Sequence, residues 1–349
     1  MTAVIRACGR LALAVLAVSV AGCTAPGGHI TSTPSPPARV VTSLGRPGSL
    51  ATGPDGQLYI ADDASNRILM ALPGGGFRVV AGTGRAGFSG DGGPATGAAL
   101  DDPGGMAVTR SGALYFADTG NNRIRAISPD GIISTVAGNG HWGNWVAGGT
   151  PALRASLGGP ADVAFAPGGA LYIADAGVSE ILELTLAGRL RVVAGIPTEA
   201  GRPEAGRQAT QTPADGPDGL AFDRAGNLYV AGENTKALFV ISPSGRVSLP
   251  IGPDGFYPRG NGGLVTTPDG GILAMNTQQV DQLTSRGARV LYNLTAYRHL
   301  GVTGFLPEGI AIAPDGGIYL DTWSGNGWAD KTALIEIRRN GTASVIWAS

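Results

Sequence analysis

Gly82, Gly84 and Gly87 in GTGRAG follow an apolar run ending Val79-Val80-Ala81 and match G-x-G-x-x-G, the spacing that lets backbone approach a pyrophosphate. That chemistry needs the glycines to open a helix inside a βαβ unit, and Gly87 runs on into FSGDGGPATG, too rich in glycine and proline for one. The pattern returns as GNGHWG, Gly138 to Gly143, again behind an apolar run, so it belongs to a repeat. Ser89 lacks the G-x-S-x-G spacing and the strand-to-helix elbow of a serine nucleophile. His29, His141 and His299 are too few for a histidine-bound zinc, and Cys8 and Cys23 leave the rest of the chain without a thiolate cluster or a disulfide. Three acids remain: Asp162 in PADVAF, Asp218 in PDGLAFD and Glu308 in PEGIAIA, each opening a short apolar run. Brought to one point they would offer calcium or a similar hard cation an oxygen site, and kept apart they are solvated acids.

The N-terminal segment positions the chain rather than a site. Arg6 and Arg10 precede Leu11 to Val20, an apolar stretch too short to span a bilayer and shaped as the core of a secretory signal. It ends Val20-Ala21-Gly22-Cys23, which resembles the lipobox of bacterial lipoproteins. That resemblance implies a diacylglycerol on Cys23 after removal of residues 1–22 as a signal peptide. Residues 23–38 then read as the lipidated cysteine and a flexible Pro, Ser and Thr tether, and residues 39–349 as the folded part. Loss of residues 1–22 takes the formal net charge from −1 to −3, which offers no basic stripe for nucleic acid. The expected location is the extracytoplasmic side of the cell membrane, held by lipid alone, as a monomer.

Composition allows a large core with many turns: 43% of residues are hydrophobic and 15% charged, and glycine is frequent at 58 residues. Aligned short runs supply the turns' order: Leu58 to Asp62, Leu114 to Asp118, Leu171 to Asp175, Leu228 to Gly232, Ile272 to Asn276 and Ile318 to Thr322, spaced by 56, 57, 57, 44 and 46 residues. Each run is preceded by a strand and a tight turn and followed by a loop, a third strand, a second turn and a fourth strand. Six four-stranded antiparallel units at this period predict an all-β, six-bladed β-propeller. The wording LYFADTGNNRIRAISPDG (114–131) and GFSGDGGPAT (87–96) closely resembles NHL repeats over residues 39 to 349. NHL propellers generally recognise proteins or other polymers, so the resemblance implies a binding module. PDGLAFD and the Glu308 segment look like pieces of the gluconolactonase family, which implies a divalent metal that polarises a lactone carbonyl. No asparagine at an equivalent axial position accompanies them. RVVTSL (39–44) and ASVIWA (343–348) both fit the outer strand of the last blade, and the C-terminal segment is the favoured one.

Within the repeat, Asp62, Asp118 and Asp175 are expected to accept N–H bonds from the turn that follows, and Asn66-Arg67 and Asn122-Arg123 to brace the loop into the third strand. Tyr59, Tyr115, Tyr172, Tyr229 and Tyr319 recur at one position and read as packing between blades. Geometry places loops 1-2 and 3-4 on one face and loops 2-3 with the blade-to-blade crossings on the other. That second face carries the long segments 82–103, 138–160, 195–217, 252–263 and 322–332. It also carries Phe88, His141, Trp142, Trp145, Tyr257, Arg259, Trp323 and Trp328, which either anchor a protein, peptide or glycan or pack the loops internally. The expected function is a non-catalytic binding, scaffold or sensor module acting through this face without a cofactor. The alternative is a divalent-metal lactonase-like hydrolase at the channel mouth, on Asp162, Asp218 and Glu308.

Overall fold

The computed structural model describes residues 39–196, 201–234, 236–249, 263–284, 287–300, 306–324 and 331–348. Cys23 and the tether lie outside them, as do Tyr257, Arg259 and Trp328. Alternating apolar positions and tight turns fold the chain into six antiparallel sheets, each drawn from one contiguous stretch. Blade 1 comprises Pro47–Thr52, Leu58–Asp62, Arg67–Ala71 and Phe77–Ala81, and blade 2 Pro103–Val108, Leu114–Asp118, Arg123–Ile127 and Ile133–Ala137. Blade 3 runs through Pro160–Phe165, Leu171–Asp175, Glu180–Leu184 and Leu190–Ala194, and blade 4 through Pro217–Phe222, Leu228–Gly232, Ala237–Ile241 and Val247–Ser248. Blade 5 takes Leu264–Thr266, Ile272–Met275, Gln279–Thr284 and Gly287–Asn293, and blade 6 Leu306–Ile312, Ile318–Ser324, Lys331–Ile337 and Ala343–Ala348.

The innermost strands touch in ring order around an axial channel. Ala343–Ala348 is the outer strand of blade 6, as favoured, whereas Val40–Val41 adds a fifth strand outside Phe77–Ala81 of blade 1. Side chains tie the two blades together: Phe77 meets Trp347 edge-on with centroids 5.3 Å apart, and Trp347 Nε1 donates to the Thr42 carbonyl at 3.2 Å. At the axis Thr52 Oγ1 donates to the Ile312 carbonyl at 2.8 Å, and Thr266 Oγ1 does the same to Phe222 between blades 5 and 4.

The core lies between blades. Every buried cluster joins two neighbours, as with Ile68 and Ala81 of blade 1 against Phe116 and Ile133 of blade 2. The repeated tyrosines belong to this layer: Tyr115 meets Phe165 of blade 3 at 5.2 Å, and Tyr172 meets Phe222 of blade 4 at 4.8 Å.

The crossings are built alike three times. Gly82, Gly138 and Gly195 donate N–H bonds to the carbonyls of Ala95, Ala152 and Ala209, whose own N–H groups bond to Gly131, Gly188 and Gly245 in the 3-4 turns of the next blades. The crossings leave from the face opposite the 3-4 turns, as the antiparallel order requires, and their middle parts reach along the rim to the 3-4 turn of the next blade. Each strand step rotates the sheet by roughly 20–25°, so the outer strand lies far off the inner one and its turn swings against the incoming crossing. Gly82, Gly138 and Gly195 hold φ of 93°, 91° and 104°, and a Cβ there would lie within 2.4 Å of the carbonyl oxygen of Asn66, Asn122 or Ser179. The glycines of the apparent dinucleotide fingerprint thus serve a backbone crossing.

Candidate functional site

The acids that end the second strands are buried and accept backbone N–H groups, but not those of the following turn. Asp62 Oδ1 takes the Gly45 N–H at 2.9 Å, Asp118 Oδ1 that of Asp101 at 2.8 Å, and Asp175 Oδ1 that of Gly158 at 2.8 Å. Each partner lies 17 residues upstream, where the chain enters the innermost strand. In blade 4 the position is Gly232, and the carboxylate of Asp215 fills the space that a side chain at Gly232 would need. The asparagines also reach farther than expected: Asn66 Oδ1 accepts from Asp102 N and Asn122 Oδ1 from Gly159 N, at 2.9 and 3.0 Å. Both residues sit at φ near 50° at the end of a short 3-10 turn and latch one blade to the next.

The electrostatics differ from blade to blade. Asp62 pairs with Arg67 at 2.6 Å and Asp118 with Arg125 at 3.0 Å, while Arg125, fully buried, also reaches Asp91 at 2.9 Å. In blade 3 the residue opposite Asp175 is Glu180, at the place of Arg67 and Arg123. Both oxygens of Glu180 accept the Val146 N–H, at 3.0 and 3.1 Å, and the side chain is fully buried. Burial raises the Glu180 carboxyl to about 8, helped by the Asp175 charge, and raises Asp175 to about 7.

The loop aromatics have separate surroundings. Phe88, though exposed, lies under the Arg123 guanidinium, 3.6 Å from its ring centroid. His141 is exposed, and its N–H donates to Asn139 Oδ1 at 2.8 Å. Trp145 is half-buried. Trp142 lies with its benzo ring over Gly159 and Gly177, where a Cβ would come within 3.3 and 2.7 Å of it, and still exposes 63% of its surface. Trp323 falls in the second strand of blade 6, not in a loop.

The three acids proposed for a metal do not converge. Asp162 follows Pro160 by two residues, whereas Asp218 and Glu308 follow Pro217 and Pro307 by one, and side chains alternate along a strand. Asp162 lines the channel, a cavity of about 290 Å³ walled by the innermost strands of all six blades. Its Oδ2 accepts the Leu220 N–H and its Oδ1 its neighbour's, Val163, both at 2.8 Å, and burial lifts its pKa to about 7. Asp218, lifted by burial to about 8, feels Glu233, Lys236 and Asp162 at the junction of blades 3 and 4. Glu308 instead acts on Arg46 and Asp321 at the junction of blades 6 and 1. Among the described residues no three His, Cys, Asp or Glu side chains gather around one point. Asp321 and Glu180 escaped the sequence reading. Asp321 stands one place earlier in its run than Asp62, where blades 1 to 4 carry Ala61, Ala117, Ala174 and Ala231 and blade 5 Met275, and that displaced acid was the available signal. Its Oδ1 accepts the Gly309 N–H at 2.6 Å, and burial raises its pKa to about 8.

Fold and repeat together define an NHL-type six-bladed β-propeller. Residues 77–253, just over half of the chain, match the family model described as the Teneurin NHL domain, and the chain belongs to that family. It is 34% identical to Teneurin-3 of Danio rerio over 216 residues and 32% identical to Teneurin-m of Drosophila melanogaster over 221. These matches cover 54% and 56% of this chain but 8% of either relative, so the chain spans a small part of their length. A stretch of 75 residues is 45% identical to the chloroplastic protein SUPPRESSOR OF QUENCHING 1 of Arabidopsis thaliana, covering 21% of this chain and 7% of that protein. Among solved structures, a gluconolactonase of Xanthomonas campestris superimposes with a TM-score of 0.55 at 15% identity, covering 82% of this chain and 86% of that one. Virginiamycin B lyase of Staphylococcus aureus does so with 0.52 at 13%, covering 86% and 83%. At such identities the likeness is one of fold.

Proposed function

We propose that this chain is a non-catalytic binding or scaffold module, held on the extracytoplasmic side of a membrane through lipid on Cys23, and that the crossing face around Trp142 meets its partner. One observation carries the reading. An indole seated on two backbone glycines is fixed in place yet leaves 63% of its surface to solvent, the arrangement of a preorganised aromatic anchor. A protein or peptide partner fits it best, with a glycan as the other ligand class that stacks on indole. The lactonase reading requires Asp162, Asp218 and Glu308 on one ion, and nothing in their geometry favours it.

The test is partner capture with the folded chain beside Trp142→Ala/Trp145→Ala. A bound partner is expected to weaken by roughly 30-fold or more in the variant, the scale of about 2 kcal/mol for a truncated anchor. A partner held equally well by both proteins sinks the assignment of the face.

A further inference from the structure

The crossing from blade 2 to blade 3 is pinned on both limbs by acids of one strand pair. Glu180 holds the outgoing limb at the Val146 N–H, and Asp175 holds the returning limb at the Gly158 N–H. The two carboxylates are direct cross-strand partners, and both are fully buried. At the same register blade 1 sets Asp62 against Arg67 and blade 2 sets Asp118 against Arg123, so only here among those three blades do like charges face each other. Among the described residues Asp175 is the charged group that acts on Glu180, and the crossing brings Val146 there with no charge of its own.

Two ionised carboxylates in that position repel across the strand pair and lack water. The segment covering Glu180, with Val146 buried above it, must lift for water to reach them. We propose that the crossing 138–160 is latched while Asp175 and Glu180 hold their protons, so that the segment bearing Trp142 loosens when both ionise. The inference deepens the proposed function by giving the Trp142 surface a regulation, but its test needs no partner and stands if that function fails.

The sign follows from burial. Both groups bind protons more tightly in the closed segment than in water, near 7 and 8 against the ordinary carboxylate range, so opening releases a proton and is promoted as pH rises. The experiment is amide exchange of Val146 and Gly158 in the folded chain between pH 6 and 9, corrected for base-catalysed exchange, with the Asp101 amide of blade 2 as internal reference. Protection at Val146 and Gly158 is expected to fall by about tenfold or more per pH unit from pH 6 to about 8 and to level off above it, while Asp101 holds. Glu180→Gln keeps an acceptor for Val146 without the charge and is expected to flatten the profile. Should that variant not fold, Asp175→Asn is expected to flatten it equally. A flat profile in the unmodified chain, or an unchanged titration in either folded variant, overturns the latch.

Discussion

Arg125 shows how much one side chain carries at the residue scale. Its guanidinium is sealed against Asp118, Asp91 and the Ser89 carbonyl, so removing it strands a buried carboxylate. Arg125→Met is expected to lower unfolding free energy by about 3–5 kcal/mol, and the added change Asp118→Leu to recover part of that, read from denaturant midpoints. The acids ending the second strands were legible as acceptors of backbone N–H groups, because short polar side chains at strand ends do this locally. Their true donors were not, since the 17-residue return to the start of the innermost strand is a property of the packed ring. Glu180 stood in plain view after Ser179, where Arg67 and Arg123 stand after asparagines, but its meaning depends on the register that sets it opposite Asp175.

The element that the sequence most misleads about is the crossing. Its glycines mimic a phosphate loop, whereas the structure uses them to pass a strand end over a left-handed residue. Gly138→Ala is expected to cost distinctly more than Gly112→Ala. Both hold φ near 90°, a strain of roughly 1–2 kcal/mol for any side chain, but only at Gly138 would a Cβ lie 2.3 Å from a carbonyl oxygen. Thermal melts of the two variants measure that difference, and equal losses would mean that the crossing yields. The crossings were recognisable as long, aromatic-bearing loops, but how firmly they are stitched to the next 3-4 turn depends on sheet twist, which no local pattern reports.

Across the whole molecule, Asp162, Asp175, Glu180, Asp218 and Asp321 are all pushed up by burial, to between about 7 and 8. The folded chain therefore binds more protons than the unfolded one between the ordinary carboxylate range and pH 8, and stability is fullest at acidic pH and declines as pH rises. Urea midpoints are expected to be higher at pH 6 than at pH 8.5, and an increase with pH would contradict these burials. The propeller, its blade number and its last strand were legible because the repeat is written in strand period and turn chemistry. The candidate metal centre was misread because a one-residue offset after proline turns Asp162 away from the register of Asp218 and Glu308. Among the described residues the junction of blades 6 and 1 is held by side chains, and no strand of one blade is borrowed from the far end of the chain. Strand pairing thus never waits for distant sequence, so blades can mature in the order in which a ribosome or a translocation pore delivers them. Trp347, near the end of the sequence, is the last of these contacts to be delivered, and the seam it makes with Phe77 joins blade 6 to blade 1.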